Sequence, residues 1–391
     1  MPVYLDHAAT TPLRPEAREA WLEAVDAVGN AASVHGHGQA ARRLWETARE
    51  SVAASLDCDP IEVLFTSGGT ESINLAVKGL WWSREPGRSA IVMPEGEHHA
   101  TTEAVDWLRQ TERAEVRAVP LTPHGAPDTS AFAAAVPGAA VATALVANNE
   151  VGTVTDVPAL VGAAGAAGVP LHLDAVGAVG ALEVSFRRWR GPSRARTGLV
   201  ALSMSGHKVG GPTGIGALVV SRYASLTPLI HGGGQQRSLR PGTADVAGAV
   251  AMAAALAATA GEREAESGRL AGLRDHLMAR IDAELPEAEI LGDRVERLPG
   301  NVHVRFPGAD GETLLFLLDQ QQISVSTGAA CQAGITEPSH VVLALGRDER
   351  AARSVLRITL GRTTTRADVD ALADVLPTAY GRARAAAGGS G

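Results

Sequence analysis

Two cysteines, Cys58 and Cys331, are all that 391 residues carry. That number excludes a disulfide framework and a four-thiolate metal site, so no metal is expected, and it points to a reducing, cytoplasmic setting. Long apolar runs are also missing. The longest, Val246 to Leu256, is alanine-rich and too short to span a bilayer, and no charged-then-apolar leader follows Met1, so no membrane partner is expected. Positive charge is not in surplus either. Set against 43 acidic residues, 35 basic ones leave a net charge of −8, which argues against bulk electrostatic binding of nucleic acid.

The most pointed shortage is lysine. Only Lys78 and Lys208 occur, so 33 of the 35 basic residues are arginine. An arginine stays protonated and cannot attack a carbonyl, whereas a lysine amine can, forming a Schiff base. A lysine retained in so arginine-biased a chain is either a remnant or a group whose chemistry arginine cannot supply, and its neighbours decide which.

What is present is an alternation. Helical spacing runs through residues 20–55, with Trp21, Leu22 and Val25, then Ala41, Leu44 and Ala48 on the apolar face. Short apolar strands are expected at 62–66, 91–93, 141–147, 170–176, 199–204 and 214–220, most separated by helical or polar segments. This predicts an α/β layered domain with a largely parallel sheet, whose ligands bind beyond the carboxyl ends of the strands. Five polar clusters fall at those ends: SGGT (67–70), GEHHA (96–100), NNE (148–150), Asp174 and SGHK (205–208). A helical region from about Ala247, with Leu270, Leu273, Leu277 and Ile281, precedes strand-like 301–306 and 323–326 and predicts a second domain. Residues 382–391, rich in Ala, Gly and Ser, are expected to be a frayed tail.

The SGGT turn between strand and helix suits an anion. The lysine of SGHK at a strand end, with Ser205 and His207 beside it, suits a phosphate-bearing aldehyde cofactor, pyridoxal phosphate. Asp174 can pair with that cofactor's pyridine nitrogen and keep the ring an electron sink. Cys331 sits in VSTGAACQAG, among small residues that shield it little.

These segments resemble the cysteine desulfurases, pyridoxal-phosphate enzymes of the class V aminotransferase group, and most of all the branch that supplies sulfur for iron–sulfur clusters and tRNA thiolation. The resemblance runs from YLDHAATTP (4–12) through TSGGTESINLAVKG (66–79), EHHA (97–100), NNEVGT (148–153), HLDA (172–175), SGHKVGGPTGIGAL (205–218), HGGGQQRSLRPGT (231–243) and STGAACQAG (326–334) to LRITLGRTTT (356–365). It implies the fold type I of pyridoxal-phosphate-dependent transferases. A large domain over 14–258 would hold a mainly parallel seven-stranded sheet. A smaller α+β domain would comprise 1–13 and 259–381 and carry the cysteine loop.

The resemblance also implies roles. Lys208 would be the Schiff-base lysine, Asp174 the pyridine-nitrogen partner, and His98 the stacking and proton-transfer residue. Gly69, Thr70, Ser205 and His207 would hold the phosphate, joined by Thr243 lent by the partner subunit of a homodimer. Asn149 would lie near the ring hydroxyl and substrate, Asn30 on the substrate side, and Arg357 would clamp the carboxylate of L-cysteine. Cys331 would take the substrate's sulfur as a persulfide and pass it to an acceptor protein, a scaffold or a thiolation enzyme, leaving L-alanine. A selenocysteine lyase or other C–S lyase that does not need Cys331 is the rival reading, and a non-catalytic scaffold is a third. Two departures stand out. Gly177 replaces a glutamine that follows the motif aspartate in relatives, and 185–198 is a longer, arginine-rich segment that is either a solvated loop or a docking patch.

Overall fold

The computed structural model describes residues 2–328 and 337–388. At its centre is a seven-stranded sheet. In spatial order the strands are Val63–Thr66, Gly216–Val220, Gly198–Ser205, Pro170–Asp174, Val141–Leu145, Ala90–Pro94 and Glu115–Val119. Six run in one direction and only Gly216–Val220 opposes them. The sequence missed one of the seven. Glu115–Val119 (EVRAV) carries an exposed glutamate and a half-buried arginine, so it lacks the apolar run of its neighbours, and it survives because it is an edge strand.

Both faces of the sheet are covered, as its uninterrupted apolar strands require. Alternate residues feed two cores. Val63, Phe65, Val92 and Val219 join one cluster, while Leu64, Ile91, Leu218 and Val220 join the other. Helices Gly36–Leu56 and Val246–Glu284 pack on the first face, and Gly69–Trp82 and His99–Glu112 on the second.

A third cluster contains Leu5, Leu277, Ile281, Val302, Val304, Leu356, Ile358 and Leu376. It lies around a three-stranded antiparallel sheet of Val355–Thr359, Asn301–Arg305 and Glu289–Leu291. The 39-residue helix Val246–Glu284 joins the two bodies, giving Ala249 to Leu256 to the first core and Leu270 to Ile281 to the third cluster. The chain's start is tied in as well: Val3–Tyr4 pairs in parallel with Ile323–Ser324.

Of the segment expected to be a frayed tail, residues 382–388 are described and helical. Helix Arg366–Gly388 continues through 382–388, and Ala383 is buried. Alanine is the strongest helix former, so an alanine-rich stretch following a packed helix extends it.

Candidate active site

Because six strands point the same way, the turns after five of them meet along one edge of the sheet. There they line a cavity of about 500 Å³ whose far wall comes from the smaller body. Of the residues singled out in the sequence, Gly69, Thr70, His98, Asn149, Asp174, Ser205, His207, Lys208 and Arg357 all line it. Asn30 and Thr243 do not: both are exposed and outside this cavity in a single chain. Cys331 lies outside the described residues. The two flanks of its segment meet at one buried side chain, Glu150. Ser339 Oγ donates to Glu150 Oε2 at 2.5 Å, and a Cβ on Gly328 would fall 2.2 Å from that same oxygen.

The two lysines part company. Lys78 sits on the helix Gly69–Trp82 with its ammonium 4.5 Å from the centre of the Trp107 ring, away from the cavity. Lys208 follows strand Gly198–Ser205 through one 3₁₀ turn and projects into the cavity. Its Nζ donates to the carbonyls of Ala8 and, at 2.9 Å, Ala9. The amine is thus aimed by backbone about 200 residues away, near the start of the chain, a contact that local sequence patterns do not reveal.

Asp174 ends the central strand Pro170–Asp174 and is 2% exposed. Burial pushes its carboxyl up to about 6, opposed by donors from Val176 N–H (2.9 Å) and Ser203 Oγ (3.1 Å). Both donors reach Oδ1. His98 caps the helix His99–Glu112, its Nδ1 accepting from Ala100 N–H at 3.0 Å. Burial first, then the charge of Lys208, lowers its pKa to about 4. The ring is therefore neutral near pH 7 with its proton on Nε2, and that atom is the one able to exchange a proton in the cavity.

Arg357 is 3% exposed on strand Val355–Thr359. Asp6 accepts from its Nη2 at 3.1 Å and the carbonyl of Asn149 from its Nη1 at 3.2 Å. The guanidinium is thereby fixed from two sides, while Nε has no partner among the described residues. Asp6, within the YLDHAATTP motif but not singled out by the sequence, orients Arg357 from outside the cavity lining.

The arrangement fits pyridoxal phosphate. Asn149 Oδ1 is a buried acceptor with no donor among the described residues, in the cavity that also holds a buried carboxylate and a primary amine. The glycine turn is also closely built: a Cβ on Gly69 would approach Val176 Cγ2 to 2.9 Å, and one on Gly216 would meet Gly68 Cα at 2.7 Å. Gly177 lines the same cavity, and a Cβ there would have only Ala147 O within 4 Å, at 3.8 Å. A Cβ at that position therefore meets ordinary contact and no clash.

The arginine-rich segment is largely spent within the chain. Arg187 pairs with Asp57 and Asp59, Arg188 with Glu183, and Arg190 donates to the carbonyls of Leu199 and Ala195. Arg194 and Arg196 are the exposed cations of the five for which no such bond occurs among the described residues. No helix among the described residues is long and apolar enough to cross a membrane.

Comparison with known proteins agrees with this geometry. The aminotransferase class-V family model matches residues 3–372. An IscS-like cysteine desulfurase of Mycobacterium tuberculosis is 46% identical, with 98% of each chain covered. A solved NifS-like protein superposes with a TM-score of 0.88 at 31% identity, covering 97% of this chain and 99% of its own. A structure of SspA in complex with cysteine gives 0.77 at 28% identity, covering 92% and 98%. The chain belongs to the class-V aminotransferases and, among them, to the pyridoxal-phosphate-dependent cysteine desulfurases.

Proposed function

We propose that the protein converts L-cysteine to L-alanine, carries the sulfur as a persulfide on Cys331 and hands it to an acceptor protein. The observation that carries this reading is the convergence of Lys208, Asp174, His98 and Arg357 on one cavity in a chain of the desulfurase family. Pyridoxal phosphate supplies an aldehyde that captures amines and a protonated ring that withdraws electrons from the carbon beside the captured nitrogen.

Each residue has a part in this scheme. Asp174 holds the ring nitrogen's proton, and Ser205, His207 and the start of the helix Gly69–Trp82 hold the phosphate. Lys208 would hold the cofactor through its amine and, once that amine is free, would move the proton of the substrate's α-carbon. Arg357 fixes the substrate carboxylate through its planar fork. The Cys331 thiolate attacks the substrate sulfur. An S–S bond would form as the C–S bond breaks, with the electron pair left on the substrate carbon; the proton Lys208 took from the α-carbon and the proton released by the Cys331 thiol, exchanged by way of His98, would complete alanine.

A homodimer is part of the proposal. Thr243 stands exposed outside its own cavity, and Trp21, Leu22 and Val25, expected from their spacing to face inward, are 42%, 48% and 50% exposed. Monomers seldom leave such a row uncovered.

Mass spectrometry after cysteine treatment tests the reading. The parent protein gains one sulfur atom on Cys331 and releases alanine. Cys331→Ser keeps bound cofactor but gains no sulfur and stops turning over, and Lys208→Ala loses both cofactor retention and turnover. Parent-rate alanine formation by Cys331→Ser would overturn the scheme in favour of a C–S lyase, the selenocysteine lyase included.

A further inference from the structure

Three neighbouring strands of the large sheet place four polar side chains in one line. Thr143 lies on Val141–Leu145, His172 and Asp174 on Pro170–Asp174, and Ser203 on Gly198–Ser205. The register pairs Thr143 with His172 and Asp174 with Ser203. Thr143 Oγ1 is 2.9 Å from His172 Nδ1, His172 Nε2 is 3.2 Å from Ser203 Oγ, and Ser203 Oγ is 3.1 Å from Asp174 Oδ1. Thr143, His172 and Ser203 are wholly buried. Apolar residues would fill this space at lower cost, since each buried polar group must find a partner.

We propose that His172 is a positioning residue for the reaction, acting through Ser203 to keep the Asp174 carboxylate ionised and aimed into the cavity. The inference rests on the reading of Asp174 as the partner of the cofactor's ring nitrogen. Proton accounting gives the chain its direction. Ser203 has one hydroxyl proton. If it donated to His172, two oxygens 3.1 Å apart would face each other at Asp174 Oδ1, which already accepts from Val176 N–H. An ionised Asp174 therefore requires Ser203 to donate to it, His172 Nε2–H to donate to Ser203, and Thr143 to donate to Nδ1. Burial keeps His172 neutral well below pH 7, as that ordering needs.

The other charged groups acting on Asp174 come from the turns after two strands. Glu97 keeps its own proton up to about pH 8, so burial favours the protonation of Asp174 and the charge of Lys208 its ionisation. The relay adds to the second against the burial that favours the first.

The test is the affinity of the full-length protein for pyridoxal phosphate as a function of pH, read from cofactor absorbance and from dissociation by dialysis. His172→Phe and Ser203→Ala should each raise the acid-side midpoint of that profile by about one pH unit, the scale of one hydrogen bond to a charge. The double variant should show the rise of Ser203→Ala alone, not the sum, because His172 reaches Asp174 only through Ser203. His172→Gln, whose amide nitrogen can still donate to Ser203, should keep the parent midpoint. Thr143→Val, nearly isosteric and remote from the cavity, should raise it by less and guards against a His172→Phe chain that fails to fold. Additive shifts, or an unmoved midpoint in both His172→Phe and Thr143→Val, overturn the relay. Parent affinity at all pH values in Asp174→Asn would instead overturn the reading of Asp174 on which it stands.

Discussion

Glu97 immediately precedes the site histidine and is 1% exposed. Its Oε1 accepts from Leu145 N–H at 2.8 Å, and its Oε2 has no partner among the described residues. Burial, opposed by that one bond and assisted by nearby Asp174, pushes its carboxyl up to about 8 from an ordinary 4.5. The consequence for stability has a definite sign. An acid raised in the fold stabilises fully below its unfolded pKa, and the contribution drains away as pH rises to the folded value. Between 4.5 and about 8 the unfolded chain has lost the proton and the folded chain keeps it. Each pH unit in that window removes about 1.4 kcal/mol, and the whole window roughly 5 kcal/mol.

Glu97→Gln abolishes the titration and keeps the shape and the bond to Leu145. Urea titrations of both cofactor-loaded proteins at pH 5, 6.5 and 8 should show the variant's stability relative to the parent climbing by about 4 kcal/mol across the series. Asp174 and every other titrating group occur in both proteins and cancel in the difference. A difference that stays flat with pH would refute the reasoning, because it would mean that Glu97 is ionised in the fold.

Two further outcomes are expected. Arg357→Lys keeps the charge but loses the fork held by Asp6 and the Asn149 carbonyl, so KM for cysteine should rise about 10- to 100-fold with a smaller change in kcat; an unchanged KM in steady-state assays would remove Arg357 from the carboxylate site. Replacing both Leu22 and Val25 by glutamate should bring the sedimenting mass down to the 40.3 kDa of one chain and weaken cofactor retention, whereas a parent that already sediments at that mass would refute the dimer.

The sequence carried the strand-end clusters well. SGGT, GEHHA, NNE, Asp174 and SGHK follow apolar runs with short-range signals, and a parallel sheet brings such ends together whatever its strand order. What escaped depends on register or on distance along the chain. That Ser203 would lie opposite Asp174, and Thr143 opposite His172, is decided by a one-residue choice of pairing and by the irregularity between Leu171 and His172. Asp6 and the carbonyls of Ala8 and Ala9 reach their partners across about 200 residues or more. Trp21, Leu22 and Val25 carry a helical apolar pattern that does not reveal whether its cover is the same chain or another. Asn30 and Thr243, expected at the site from resemblance, lie outside the cavity of one chain.

The long helix Val246–Glu284 spans about 58 Å at 1.5 Å per residue. Its first turns brace the sheet that supplies Lys208 and Asp174, and its later turns brace the body that supplies Arg357. A hinge between those walls would have to unravel the beam that carries both, breaking hydrogen bonds at about 1 kcal/mol apiece. The reacting groups are therefore mounted on a single frame, and a chain severed within that helix would strand each half with an apolar stripe and nothing to lay it against.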